Sequence, residues 1–383
     1  MYRLNEEQTT LVETISRLAD EKIAPFATAV DAEGRFPAEA MEALAEAGFY
    51  GLNVPKEYGG LGQGIGTACA VLDQIAQRCA STAMIYLMHL CGTICYVSHP
   101  EGNEETLRQI AEGKHLTTLA WSERGSRSHF WAPVSQATQQ GEEIELNASK
   151  SWVTSAGYAS SYIISTRTAG GTEPTDTMLY TVFADDPGVS VSGPWNGLGM
   201  RGNASAPMQL SHTVIPASRA LCEISDGFNT MLGVVLPWFA LGNAAVSIGN
   251  CEAAVKATTA HLTASKLEHL GQSLADLPNL RARLAEMRIE TDRARAHLVS
   301  VIDSVENPGP ATTLMVLEIK AAAGESALKV TDLGMLTCGG AAFSRHLTIE
   351  RNFRDARAAV VMAPTADVLK EFIGRALLGM SLF

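Results

Sequence analysis

Charged side chains are scarce in this 383-residue sequence: Asp, Glu, Lys and Arg make up 18% of it, against roughly 25% in typical globular chains. The shortage falls on the basic side. Lys and Arg total 29 against 41 Asp and Glu, a formal net charge of −12. Without a basic block the chain is a poor nucleic-acid binder, although a local basic pocket for an anionic cofactor remains open. Cysteines number seven, an odd count in a large chain, which argues against a disulfide framework. Cys91 and Cys95 stand at i, i+4 spacing, but no His or Cys partners fall into place around them. They read as buried structural cysteines, and no metal site is predicted.

The N-terminal MYRLNEEQTT has neither a basic stretch nor an apolar stretch, so no signal peptide is predicted. Residues 80–98 and 227–251 carry no Asp, Glu, Lys or Arg, and their length alone permits membrane spanning. Ser81, Thr82, His89 and Gly92 interrupt the first, and Asn229, Pro237, Asn243 and Asn250 the second. Such interruptions fit helices buried in a large bundle. The expectation is no membrane span and a cytoplasmic protein.

What is present in quantity is apolar: 46% of the chain, which excludes a disordered polymer and allows large cores. The length suits two or three domains. Residues 1–115 read as helical. Asn5 and Gln8 resemble a capping box, ahead of a stripe of Leu4, Leu11, Val12, Ile15 and Leu18. A helix is predicted from Pro37 to Gly48 and one or two buried helices over 65–98. Between them, the six glycines and one proline of 48–64 mark a loop. Over 116–222 Ser, Thr, Val and Ile rise. Strand-like runs appear at Tyr162–Ser165 and Met178–Phe183, and Met208, Leu210, Val214 and Pro216 suggest another. From 223 to 383 the pattern is helical again, over 228–265, 277–305 and 311–336. The predicted class is α+β: an N-terminal helical domain, a small middle β-barrel or sandwich, and a C-terminal four-helix bundle.

Several segments then resemble, in order, the acyl-CoA dehydrogenase superfamily. Gly48–Gly60 is similar to its G-x-x-G-L-x-V-P-x-E-Y-G-G loop, Ser122–Ser128 to its Thr-Glu-Pro-x-x-Gly-Ser flavin loop, and Ser151–Thr154 to its Trp-Ile-Thr strand. Leu198–Asn203, Val214–Pro216, and Cys338-Gly339-Gly340 with Arg354–Arg357 complete the set. The resemblance implies FAD as cofactor, bound by Ser122, Gly125, Ser128, Trp152, Thr154, Gly339, Gly340, Thr365 and Asp367, partly across a subunit interface. Hydroxyls at 122, 128 and 154 can donate to a flavin, Trp152 offers an aromatic plane, and the glycines permit close approach. It implies an acyl-thioester substrate near Ser128, Arg127 and Trp238. It also implies a homodimer or homotetramer, and an electron-transfer flavoprotein or flavin reductase as redox partner.

The departures are chemical. The family's catalytic Glu falls at Ala363, and its alternative position falls at Trp238, followed by Phe239. Neither can remove a proton, a step in which a placed base contributes roughly 10²–10⁴-fold. The flavin loop carries Arg124, Arg127 and His129 where the family has Pro, Gly and Asp. His129 reads either as a replacement general base or as a wall residue. The arginines read as partners for a phosphate or carboxylate, or as solvated charges. Leu267, beside Lys266, stands where the family has an Arg directed at a neighbouring subunit's flavin. Three functions follow: a dehydrogenase with an unusual base, a flavin monooxygenase on the same scaffold, or a subunit whose base comes from a partner chain.

Overall fold

The computed structural model describes residues 2–382. Helices α1 (Glu6–Leu18), α2 (Ala27–Glu33), α3 (Ala38–Glu46), α4 (Ile65–Ala76), α5 (Ala80–Ser98) and α6 (Glu104–Ala111) form the first third. The capping box at Asn5 is present: its side chain accepts from the Gln8 N–H while Gln8 reaches back to the Asn5 N–H. Pro37 sits at the N-cap of α3, and Gly48, just past its end, takes the left-handed φ of +76° that ends the helix before the loop. α4 and α5 are buried on nearly every face.

Seven strands follow: β1 (Thr117–Ala120), β2 (Thr138–Gln140), β3 (Glu143–Val153), β4 (Ser161–Arg167), β5 (Thr177–Phe183), β6 (Val189–Val191) and β7 (Ala206–Pro216). They form a three-stranded sheet, β1-β4-β5, and a four-stranded sheet, β2-β3-β7-β6. β1 runs parallel to β4, and the other pairs in both sheets are antiparallel. Alternation on β3, exposed at Glu143 and buried at Ile144, Leu146, Ala148 and Lys150, turns one face inward.

The remainder is helical: α7 (Gly227–Asn229), α8 (Leu236–Ala264), α9 (Pro278–Glu306), α10 (Thr312–Cys338), α11 (Gly340–Phe343), α12 (Ile349–Val361) and α13 (Ala366–Leu377). α8, α9 and α10 pack on one another, with α12 against α8 and α10, and α13 against α10. The pattern predicted over 228–265 is not one α-helix. A π-helical turn, Thr230–Val235, precedes α8. Pro237 gives the reason, because its ring has no N–H and would crowd the carbonyl of residue 233 in a continuous α-helix.

Two helical stretches, Ala80–Ser98 and Gly227–Ala264, are long and apolar enough to cross a membrane, and 89% and 61% of their most apolar windows are buried inside the fold. All seven cysteines are free and buried, and among the described residues no cluster of His, Cys, Asp and Glu suits a metal ion.

Candidate active site

The site starts at an irregularity in the long sheet. The β3–β7 register shifts between Lys150 and Val153, so the strand bulges there. Trp152 lies in the bulge with φ +61°, a left-handed backbone that non-glycine residues rarely adopt. The residue is 64% exposed, and its ring meets that of Trp195 edge-on, at 5.7 Å between centroids. A bulge and an unfavourable φ together hold a large aromatic face outside the core. Thr154, two residues on, is buried, and its hydroxyl lies 3.1 Å from that of Ser205.

The loop of residues 122–131 is tied to this strand. The Ser151 N–H donates to the Ser122 carbonyl at 2.9 Å. Glu123 is the anchor: it accepts from the Lys150 amine at 2.7 Å, from the Ser135 N–H at 2.9 Å, and from the Val134 N–H and the Ser135 hydroxyl. Lys150 also donates to the Ser165 carbonyl. Burial disfavours both charges, but at Glu123 the ammonium and the Ser135 donors outweigh it and lower the carboxyl pKa. Neither Glu123 nor Lys150 stands out in the sequence. They are 27 residues apart, and only the pairing of loop with strand brings them together.

The ionic interior leaves the outer residues of the loop open. Arg124, Arg127 and His129 are exposed, and Arg127 has φ +49°. The two arginines have no ion pair, and the Ser122 and Ser128 hydroxyls make no hydrogen bond among the described residues. His129 stacks on Trp131 at 5.0 Å, and Trp131 meets Phe372 of α13 at 5.4 Å, so aromatic rings join the loop to the C-terminal helix. Among the described residues no hydrogen bond orients the His129 ring. Gly125 is exposed, and a Cβ there would meet the Val134 side chain at 2.8 Å.

The turn that carries Ala363, and Phe239 next to Trp238, both adjoin Lys320 of α10. Its amine donates to the carbonyls of Ala359, Met362 and Pro364, which bracket Ala363, and lies 5.7 Å from the Phe239 ring centre. Among the described residues no carboxylate takes part. Thr365 follows as the N-cap of α13 without a side-chain capping bond, and Asp367 stands in the first turn. Trp238 is half-buried beside Phe239.

Gly339 and Gly340 stand apart from this group. Eighteen residues of continuous α10 separate Lys320 from Cys338, about 27 Å at 1.5 Å per residue. Both glycines are open, with no atom within 4 Å of an added Cβ, and nearby Phe343 is 84% exposed. The residues expected to hold one cofactor fall on separate elements: Ser122 and Ser128 on the loop, Trp152 in β3 and Thr154 just past it, Thr365 and Asp367 at the start of α13, and Gly339 and Gly340 where α10 ends and α11 begins.

Arg354 and Asp355 of α12 bind protein, not cofactor. Arg354 pairs with Asp31 at 2.6 Å and Glu350 at 2.7 Å and donates to the Leu198 carbonyl at 3.1 Å. Asp355 accepts from the Met200 N–H at 2.6 Å, and burial pushes its pKa up to about 6. Arg201 donates to the Asp31 carbonyl, and the Gly202 N–H to Ser81. The 198–202 loop is thereby clamped between α2, α5 and α12. Lys266 and Leu267 form a short hairpin with Gln272 and Ser273.

Three profiles of one family account for nearly all of this architecture: acyl-CoA dehydrogenase N-terminal domain over residues 5–114, middle domain over 118–213 and C-terminal domain over 225–378. The chain belongs to the acyl-CoA dehydrogenase family. A probable acyl-CoA dehydrogenase of Mycobacterium leprae is 29% identical, over 99% of this chain and 97% of its own length. The cyclohex-1-ene-1-carbonyl-CoA dehydrogenase of Syntrophus aciditrophicus is 27% identical, over 99% and 91%. Among solved structures, butyryl-CoA dehydrogenase of Megasphaera elsdenii shares the fold with a TM-score of 0.92 at 22% identity, over 99% of this chain and all of that one. The prolyl acyl carrier protein oxidase AnaB shares it with a TM-score of 0.89 at 20% identity, over 98% and all of that chain. The cofactor of this family member is FAD. The residues present fit it: an exposed Trp face on β3, two hydroxyls without a hydrogen bond among the described residues on the loop tied to that strand, and a helix N-terminus without a side-chain cap.

Proposed function

We propose that the chain is an FAD-dependent oxidoreductase acting on the CH–CH bond of an acyl-thioester, bound to coenzyme A or to a carrier protein. Trp152 carries this reading. A tryptophan held outside the core, in a bulge and at a left-handed φ, has no packing role that explains the expense, whereas a flat cofactor against it does. Ser122, Ser128, Thr154, Thr365 and Asp367 contribute to the same flavin site, and Gly339 and Gly340 act from a second copy in a homodimer or homotetramer. Bound FAD supplies a hydride acceptor. The chain's own part is to hold the thioester near Ser128, Arg127 and Trp238 and to exclude water with the aromatic loop. The domains divide at 1–115, 116–222 and 223–383. An electron-transfer flavoprotein or flavin reductase is the redox partner, and the cytoplasm the compartment.

The proton is where this member departs. Ala363 and Trp238 offer no acid, and His129 on the flavin loop is the candidate for the base. That same lack of a carboxylate favours a second reading, a flavin-dependent monooxygenase or a subunit completed by a partner chain. Anaerobic titration of the FAD-loaded protein with a panel of acyl-CoAs separates them. Bleaching of the flavin band supports the dehydrogenase. No bleaching across the panel, with oxygen consumed once external reductant and substrate are supplied, selects the monooxygenase. Bleaching that requires co-expression with a second chain selects the shared site.

A further inference from the structure

Lys320 is 1% exposed in the middle of α10. Three ammonium hydrogens face three carbonyls: Pro364 at 2.9 Å, Met362 at 3.0 Å and Ala359 at 3.3 Å. Protonated, its donor capacity is filled, and burial lowers its pKa to about 7. Burying an ammonium without a countercharge costs several kcal/mol, and a methionine would fill the same volume without that cost. The carbonyls explain what the charge does. Ala359 lies in the last turn of α12, whose carbonyls lack helical partners and form the negative end of the helix. Met362 and Pro364 are the turn itself, and Thr365 caps the next helix. One amine thus joins the end of α12, the turn and the start of α13 to the rigid centre of α10. The Phe239 ring, 5.7 Å away, covers it from α8.

We propose that Lys320 is a positioning residue for the cofactor, fixing the 362–364 turn so that the Thr365 hydroxyl and the first N–H groups of α13 face the flavin. This rests on the reading that the start of α13 contributes to FAD binding. The lysine leaves no trace at the flavin itself, because its partners are backbone carbonyls one turn removed.

The test measures FAD affinity and the melting temperature, with and without saturating FAD, for wild type, Lys320→Met and Thr365→Val. A ligand that binds only the folded state raises stability by an amount set by its Kd. Lys320→Met is expected to weaken FAD about tenfold and to shrink the FAD-induced rise in melting temperature. A lysine that merely supports the fold would lower both melting temperatures alike and leave Kd unchanged, which overturns the proposal. Thr365→Val weakening FAD while Lys320→Met does not overturns the positioning role alone. If neither variant changes Kd, the role of α13 in binding FAD fails with it. Should Lys320→Met not fold, Lys320→Gln keeps two of the three donors. A folded Gln variant is expected to bind about threefold more weakly, and an unchanged Kd overturns the proposal.

Discussion

At the scale of single residues, exposure and burial run against residue type where the chemistry lies. Trp152 is apolar and outside; Glu123, Lys150 and Lys320 are charged and inside. Trp152 was legible because it sits in a short motif, Ser-Trp-Val-Thr, whose residue types suit a flat cofactor. Replacing it with alanine removes the aromatic face without touching the core. Trp152→Ala is therefore expected to weaken FAD by about tenfold or more, in line with the 1–3 kcal/mol of one aromatic stacking contact. The apoprotein should melt within about 1 °C of wild type, since surface changes contribute little to stability. Equilibrium binding by flavin fluorescence checks this, and unchanged affinity would remove Trp152 from the site. Lys320 was not legible. A lone lysine in an apolar helix gives no pattern, and backbone carbonyls carry no residue identity by which a partner could be inferred.

At the scale of elements, two buried histidines bind the N-terminal helices to the β layer. His89 of α5 accepts from the Thr117 N–H of β1 on Nδ1 and so donates to the Tyr50 carbonyl from Nε2. His115 bonds the Ser161 hydroxyl of β4 at 2.7 Å. Burial lowers each pKa to about 4. The unfolded chain takes up a proton near pH 6.5 that the folded chain refuses until about 4. Stability is therefore lost as pH falls through that window, by about 3 kcal/mol for each histidine. Asp355 works the other way. Its folded pKa of about 6 lies above the ordinary 3.8, so its contribution is full below 3.8 and is lost as pH rises through 6. Acidification restores about 3 kcal/mol there. Two histidines outweigh one aspartate, and urea denaturation is expected to show a net loss of roughly 3–4 kcal/mol between pH 6.5 and 4. Asp355→Asn should steepen that loss. A rise in stability over the same range would show that the histidines are not held neutral.

At the scale of the whole molecule, one loop holds the three layers together. Leu198–Gly202 touches α12 through Arg354 and Asp355, α2 through Asp31, and α5 through Ser81. Gly199 makes the closest approach, since a Cβ there would lie 2.4 Å from the Arg354 backbone carbonyl. Gly199→Ala therefore forces two rigid backbones apart and is expected to destabilise the chain by about 1–3 kcal/mol. Calorimetry checks it, and a splitting of the transition into two would show that this loop couples the layers. A variant as stable as wild type would mean that the loop yields freely.

The sequence by itself determined the order of helices, strands and helices, the buried character of the two uncharged stretches, and the family. Periodicity, breakers and short motifs are local, so each is written in consecutive residues. It also determined that positions 363 and 238 hold no acid. Only the tertiary structure decided that Glu123 and Lys150 form one buried pair, that a single amine serves the turn around Ala363, and that this amine stands about 27 Å along α10 from Cys338, where Gly339 and Gly340 begin. Those are distances between segments remote in the chain, set by how helices and sheets pack, and no local pattern records them.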